Sequence, residues 1–282
     1  MPYKNGIWAK TIANLQTDDG SWGQFHSMAI PRAHAPITTE QALRRLKILG
    51  FSIEDEVVYR AVQYMHDCLL RKQKVSDADA IGDTYNDMMY AAWIRQFTDD
   101  DEYANNIACQ WSQVISKACM EYGFDEALYY AAYDDQFGKI KRESLSISFN
   151  KFYPVAIVAN LLDAEKERIF FEKILSNPTG IYYLGYDRAL NTPPVAFASK
   201  DASRFLGAIE VLSQYSSNQC RQKLGFVVDW LNENKAEGGT WDMGSSVKDN
   251  LYFPLSDSWK KVQDRKIDCS YRITNIVNAL IG

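Results

Sequence analysis

Acidic residues at helical spacing are the first candidates for chemistry in this sequence. Asp83 and Asp87 are four residues apart in a segment that predicts a helix, so their carboxyls share one face. Asp187 precedes another predicted helix. Two carboxyls about 5 to 9.5 Å apart can act as acid and base on a glycosidic bond. Asp83, Asp87 and Asp187 are therefore the predicted catalytic residues, although Asp83 is also predicted to cap its helix, which lowers a carboxyl pKa.

Arginines close to predicted helix starts form a second set of candidates. A guanidinium there can hold a carboxylate or phosphate group of a small ligand. The alternative, which burial of charge favours, is a network of Arg and Asp pairs that ties helices together, for example between Arg204 and Asp201. With aromatic residues added, the predicted ligand-binding residues are Tyr85, Arg188, Arg204, Tyr271 and Arg272.

Patterns that bind metals are weak. The acids at 99–101 are predicted to cap a helix, because negative charge is favourable at a helix N-terminus. Five cysteines are an odd number without CxxC spacing, which is typical of reduced, mostly buried thiols in a cytoplasmic protein. Of the three histidines, His26 and His34 fall in the loop at 24–36 and are predicted to be solvated. We predict no metal site, and the sequence indicates no particular cofactor.

Composition limits the classes of partner. The net charge of −5 argues against nucleic acid, since phosphate binding requires a dense Lys and Arg surface. No stretch approaches the roughly 18 apolar residues of a membrane span, and no secretion signal is expected. The 7 Trp, 17 Tyr and 13 Phe are numerous enough either to fill wide gaps between helices or to line an apolar pocket.

Five similar segments predict the helices that position these residues. Each begins with a residue that favours an N-cap and is apolar over much of its circumference, so we interpret them as inner helices: 38–49, 83–94, 150–161, 201–212 and 270–281. Segments with a narrower apolar stripe alternate with them and predict outer helices: 54–72, 101–120, 164–175 and 218–234. The stretch 124–137 predicts either a sixth inner helix or a lid.

The two chain ends complement each other. The stretch 3–15 predicts an outer helix without an inner partner before it, and 270–281 an inner helix without an outer partner after it. Their pairing would close a stack of hairpins into a ring. We therefore predict an all-α fold, an α/α toroid of about five to six helical hairpins, as one domain over residues 1–282.

Glycine and tryptophan turns carry a family resemblance. Residues 16–23 (QTDDGSWG) and 238–244 (GGTWDMG) follow outer helices, and 133–138 (YDDQFG) is interpreted as a third copy. They resemble the Gln/Trp repeat of terpenoid cyclases and the related loops of protein prenyltransferase β subunits, and with the hairpin pattern the resemblance covers most of the chain. It implies the toroid fold and a structural role in which Gln bonds to free helix-end groups and Trp22 and Trp241 tie adjacent hairpins.

The sequence contains only part of the motifs that carry the activities of these families. Cyclases that start by protonation carry an Asp-x-Asp-Asp run and two barrels, whereas 77–80 (DADA) lacks the last acid and this chain has length for one barrel. Prenyltransferases bind zinc through Asp, Cys and His. Residues 268–272 (DCSYR) resemble that neighbourhood without the His, so Cys269 is predicted to be buried and structural.

Three functional hypotheses remain. The first is an enzyme or binder that accommodates a small or apolar, isoprenoid-like ligand in a central cavity. The second is a non-catalytic partner subunit that uses its outer ring to hold a protein. The third is a glycan-acting enzyme that uses two carboxyls, or a carboxyl with His or Tyr.

Overall fold

A computed structural model describes residues 3–27, 29, 36–73, 82–139, 148–182, 184–248 and 253–282. These residues are mostly helical, and their only strands form one two-stranded hairpin, which confirms the all-α class. They pack as two compact units. Unit 1 holds the residues up to Ala108 with Leu255–Asp257, and unit 2 holds Cys109–Pro254 with Ser258–Gly282.

Unit 1 is built from two packed helix pairs. Helix α1 packs against α2, and α3 packs against α4. The bounds are Ile7–Asn14 for α1, Thr39–Ile48 for α2, Glu56–Leu69 for α3 and Asp83–Ile94 for α4. On α3 the buried residues Val58, Ala61, Met65 and Cys68 recur at intervals of three and four, which gives the one apolar face expected of an outer helix. On α4 every residue from Met88 to Ile94 is buried, as expected of an inner helix.

Helix α5, Glu102–Ala118, begins in unit 1 and ends in unit 2, where the remaining elements follow. Helix α8 contacts the hairpin and α10, while α7 packs against α9 and α11 against α12. Their bounds are Cys119–Met120 for β1, Gly123–Phe124 for β2, Glu126–Phe137 for α6, Phe152–Ile157 for α7, Ala164–Ser176 for α8, Lys200–Leu212 for α9, Asn218–Lys223 for α10, Gly225–Glu233 for α11 and Val262–Ile281 for α12.

The two Gly-x-Trp turns have the same hydrogen bonds. The indole N–H of Trp22 donates to the carbonyl of Ile12, and that of Trp241 to the carbonyl of Leu231, each ten residues back on the preceding helix. Both rings are buried. Gly20 must be a glycine, because its φ is +89° and a Cβ there would lie 2.4 Å from the carbonyl oxygen of Arg60. The predicted structural role of both tryptophans is confirmed.

The side chain of Gln16 reinforces the first turn. Its amide Nε2 donates to the carbonyls of Gly20, 2.9 Å away, and Val57, 2.8 Å away, and so links the turn to α3. The third predicted copy is wrong, since residues 133–137 lie inside α6, which ends at Phe137. A turn motif cannot form where the backbone amides are already used by helical hydrogen bonds.

One of the five predicted N-caps is confirmed. The Thr38 hydroxyl accepts from the Gln41 amide while the Gln41 side chain accepts from the Thr38 amide, a reciprocal capping box. Asp83 is the first residue of its helix after Gly82, so its assignment as a cap is wrong. The caps of α7 and α9 are Lys151 and Ser199, not Asn150 and Asp201. The fifth prediction fails because α12 begins at Val262, which puts Ser270 in mid-helix.

Three further helix predictions have clear outcomes. The predicted outer helix 218–234 is two helices, because the chain changes direction at Leu224. The stretch 124–137 contains a helix, α6, which Asp125 caps through the amides of Ala127 and Leu128. The cap predicted for the acids at 99–101 is confirmed at Asp101, whose Oδ1 accepts from the Ala104 amide. Within the described ranges, no helix is long and apolar enough to cross a membrane.

Candidate active site

The strongest cluster of chemically useful side chains lies at the start of α2 in unit 1. A helix leaves its first amides without internal partners. Here the amides of Thr39 and Glu40 donate to the carbonyls of Gln24 and Phe25, at 2.9 and 3.1 Å. This backbone pairing holds the segment after Trp22 against the start of α2, and it places His26 and Ser27 beside the side chain of Glu40.

Glu40 is completely buried and its carboxylate accepts hydrogen bonds on both oxygens. Oε2 accepts from the Ser27 amide at 2.7 Å and the Ser27 hydroxyl at 3.1 Å, and Oε1 accepts from the indole of Trp93 at 3.2 Å. A buried carboxylate is stable only with such partners, and its position in the first turn of α2 adds the favourable field of the helix dipole. The side chain is therefore held in one orientation.

His26 lies next to this carboxylate. Its Nδ1 is 3.8 Å from Glu40 Oε2, and the residue is only 9% exposed, so the prediction of a solvated loop histidine is wrong. The imidazole stacks on the ring of Tyr85, with centroids 6.1 Å apart and planes 27° apart, while Phe25 approaches edge-on. Phe25 in turn contacts Tyr90 edge-on at 5.3 Å. The polar pair is thus surrounded by aromatic rings.

This arrangement can move a proton. In histidine–carboxylate pairs the carboxylate orients the ring from the Nδ1 side, and Nε2 is the atom that takes the proton. In this structure Nε2 of His26 is itself buried. The same carboxylate stabilises the imidazolium that forms once the proton is taken. The separation of 3.8 Å is longer than a hydrogen bond, which is common for catalytic contacts that tighten when a substrate binds.

The predicted acids of α4 have a different environment. Asp87 forms a bidentate ion pair with Arg71, with N–O distances of 2.6 and 2.8 Å, and Asp83 is exposed at the helix start. The hydrogen bonds that Arg71 donates to Asp87 raise the pKa of Arg71. Arg71 follows the end of α3 with φ of +59°, a conformation that is uncommon outside glycine. The pair therefore links the end of α3 to α4.

The other predicted site residues lie in unit 2. Arg272 is buried and bonds Glu210 with both Nε and Nη2, which joins α12 to α9. Arg188 and Asp201 form an exposed ion pair of 3.5 Å, and Asp187 is exposed. Arg204 packs against Gly185, and Tyr271 is half-buried. The pair of Arg272, whose side chain is buried, agrees with the alternative of a buried ion-pair network that ties helices together, whereas the pair of Arg188 is exposed.

Some predicted features fall outside the described residues, namely His34 and the DADA sequence at 77–80. Cys269 is buried, as predicted, and so are three other cysteines, whereas Cys109 is exposed. His66 on α3 forms a second His–carboxylate pair, with Nδ1 2.6 Å from Asp101 Oδ2. Among the described residues, no group of three or more His, Cys, Asp or Glu is arranged to hold a metal ion.

Comparison with known proteins adds no relative. No protein-family model, curated protein or solved structure matches this chain.

Sequence reasoning missed Glu40 and treated His26 as a solvated loop residue for identifiable reasons. Glu40 lies inside the capping-box sequence TTEQ, where an acid is expected for helix initiation alone. His26 is 14 residues before it in a loop, a spacing with no helical or strand periodicity. The sequence does place His26 and Glu40 after the Trp22 turn and before the aromatic helix α4. Their proximity, however, depends on tertiary pairing.

Proposed function

We propose that this protein is an enzyme that uses His26 as a general base toward a small, largely apolar ligand. The observation that carries the proposal is the position of His26 beside the fully buried, fixed carboxylate of Glu40. Proteins rarely bury a Glu completely, and a buried carboxylate beside a histidine is more common at sites of chemistry than elsewhere. A purely structural role for Glu40 is the competing explanation.

Each residue has a distinct role in this proposal. Nε2 of His26 accepts a proton from the ligand, and the Glu40 carboxylate orients the ring and stabilises its charged form. Positioned general bases of this kind contribute about 10²- to 10⁴-fold to a rate. Trp93 and Ser27 are positioning residues, since they hold the carboxylate through three hydrogen bonds.

The surrounding rings support an apolar ligand class. Tyr85 stacks on His26 and is half-buried, while Phe25 and Tyr90 pack edge-on in the buried core behind it. Such surfaces favour hydrocarbon or aromatic groups. An isoprenoid-like molecule is consistent with this chemistry. It is also consistent with the full arrangement that we propose, which is a toroid of about five to six hairpins in one domain. The packed pairs α1–α2, α3–α4 and α11–α12 support the hairpin part of that proposal.

The alternatives receive less support. A glycan-acting enzyme with two free carboxyls is disfavoured at Asp87, because Arg71 already neutralises that carboxylate. A partner subunit would use exposed apolar side chains, and the most exposed large ones in the described ranges are Val195 and Tyr122. Isolated exposed apolar residues are common on proteins without partners, so this observation favours the partner hypothesis only weakly.

Farnesol, an apolar alcohol, is a suitable probe of the ligand class, with binding measured by calorimetry. We expect 1:1 binding that weakens about tenfold or more in Tyr85→Ala, since a lost aromatic contact is worth about 1.4 kcal/mol. Tyr103→Ala is the matched control, because Tyr103 contacts the other paired histidine, His66, edge-on. Absence of binding, or equal loss in both variants, would contradict the proposed ligand class at this site.

A further inference from the structure

A buried lysine in unit 2 precedes helix α7. Lys151 is only 8% exposed, and its Nζ forms no hydrogen bond or ion pair in the part of the chain that the structure describes. Nζ lies over the ring of Tyr182, whose centroid is 4.8 Å away. Lysines are almost never buried this far without a partner, because desolvation of an ammonium ion is costly.

The backbone holds this lysine in place. Lys151 precedes α7 and forms an isolated parallel bridge with Tyr182. The Tyr182 amide donates to the carbonyl of Asn150 at 3.0 Å, and the Phe152 amide donates to the carbonyl of Tyr182 at 3.3 Å. Asn150 is itself fixed by a hydrogen bond from its Nδ2 to the carbonyl of Gly180. The side chains of Lys151 and Tyr182 are therefore presented together by a rigid segment.

Two kinds of ligand suit a buried amine. An anion would pair with the ammonium, but protein anion sites converge several donors on the ligand, and no second charge among the described residues contributes to the pKa of Lys151. A carbonyl compound instead reacts with the neutral amine. Burial is the one cause that lowers the pKa of Lys151, to about 8, so a substantial fraction is neutral near physiological pH.

We infer that Lys151 is a nucleophilic amine that condenses reversibly with a small aldehyde or ketone held against the ring of Tyr182. The ammonium first releases a proton to solvent. Nζ then attacks the carbonyl carbon to form a carbinolamine, which loses water to give an imine, so that one carbonyl and one amine yield one imine and one water. Tyr182 is 46% exposed, which leaves its ring accessible to an approaching aromatic aldehyde.

Reductive trapping tests this inference in the intact protein. Benzaldehyde and cyanoborohydride are added at pH 7.5, and benzylation of each lysine is followed by peptide mass spectrometry. Lys200 and Lys260 are the reference residues, because both are exposed in the same unit. We expect Lys151 to react about tenfold or more faster than either, since its larger neutral fraction outweighs its restricted access.

If Lys151 is labelled at the same rate as Lys200 and Lys260, or more slowly, the inference is overturned. Because the comparison is made within the wild-type chain, it does not depend on the folding of a variant. A second measurement uses the variant Lys151→Met. Its number of rapidly attached benzyl groups should be one per chain lower than that of the wild type. An unchanged rapid stoichiometry would place the reactive amine elsewhere. Neither result depends on His26, so this inference and the proposed function can fail separately.

Discussion

Trp22 and Trp241 occupy equivalent turns in the two units. Each forms the same two kinds of hydrogen bond. Besides the indole bonds to Ile12 and Leu231, the backbone amide of Trp22 donates to the hydroxyl of Thr39, and that of Trp241 to the hydroxyl of Ser270. Each tryptophan thus connects the helix before its turn to a later helix, α2 in one unit and α12 in the other. The chain uses this connection twice, with a different hydroxyl residue each time.

Replacing either tryptophan by phenylalanine should destabilise the protein. Trp241→Phe leaves the carbonyl of Leu231 without its donor and opens a cavity, for a loss of about 2 to 3 kcal/mol in the free energy of unfolding. Urea titration followed by circular dichroism measures this loss. Trp8→Phe is the matched control, since Trp8 also donates to a carbonyl but is only half-buried. Equal losses in the two variants would refute the special role of the turn.

The ion pair between Arg272 and Glu210 should contribute to stability. Arg272→Ala leaves the Glu210 carboxylate without its bidentate partner and is expected to cost about 3 kcal/mol. Arg188→Ala, which removes an exposed pair, should cost less than about 1 kcal/mol. Thermal and urea unfolding compare the two. If Arg272→Ala unfolds like the wild type, Arg272 does not tie α12 to α9 and is better explained as a ligand-binding residue.

Lys151 should make stability depend on pH. Its pKa is about 8 in the folded chain and about 10.4 in an unfolded chain. Between these values the unfolded state binds more protons, so the free energy of unfolding should rise with pH, by about 3 kcal/mol across the window. Below pH 8 the ammonium is buried in the folded chain, and the full cost of burying it lowers the free energy of unfolding. Lys151→Met, which has no charge to bury, should lack this rise when urea unfolding is compared at pH 7.5 and pH 10.

One cysteine should react with thiol reagents in the native protein. Cys109 is exposed, whereas burial raises the pKa of Cys68 and Cys119 to about 12 and that of Cys220 to about 11, and Cys269 is buried. Only thiolates react rapidly, so iodoacetamide at pH 7.5 should label one thiol per chain. Cys109→Ser should abolish the rapid labelling. Rapid modification of any of the other four would show that its surroundings open in solution.

Local sequence signals predicted the features that depend on neighbouring residues. The cap at Thr38 and the turns around Trp22 and Trp241 are determined within a few residues, and all were predicted. The cap at Asp83 was wrong because Gly82, with φ of +92°, already starts the helix. Ser270 contacts the Trp241 amide from inside a longer helix, an extension that its own residues do not signal.

The candidate site depends on contacts that no local pattern contains. Glu40 meets His26 only because Gln24 and Phe25 pair with the start of α2, and it is fixed by Trp93, which lies 53 residues further along the chain. Asp87 could be assigned to one helix face, but its ion pair with Arg71 depends on how α3 ends. Such partners are determined by tertiary packing.

The most direct test of the proposed function is the hydrolysis of p-nitrophenyl acetate, a simple activated ester, by four folded proteins. His26→Gln should lower kcat/KM about 100-fold, because the general base is removed, and Glu40→Gln should lower it by about tenfold or more, because the imidazolium loses its carboxylate. His66→Gln, which alters the other His–carboxylate pair, should stay within about twofold of the wild type. If His26→Gln and His66→Gln both turn over the ester like the wild type, His26 is not a general base and the cluster at Glu40 is structural.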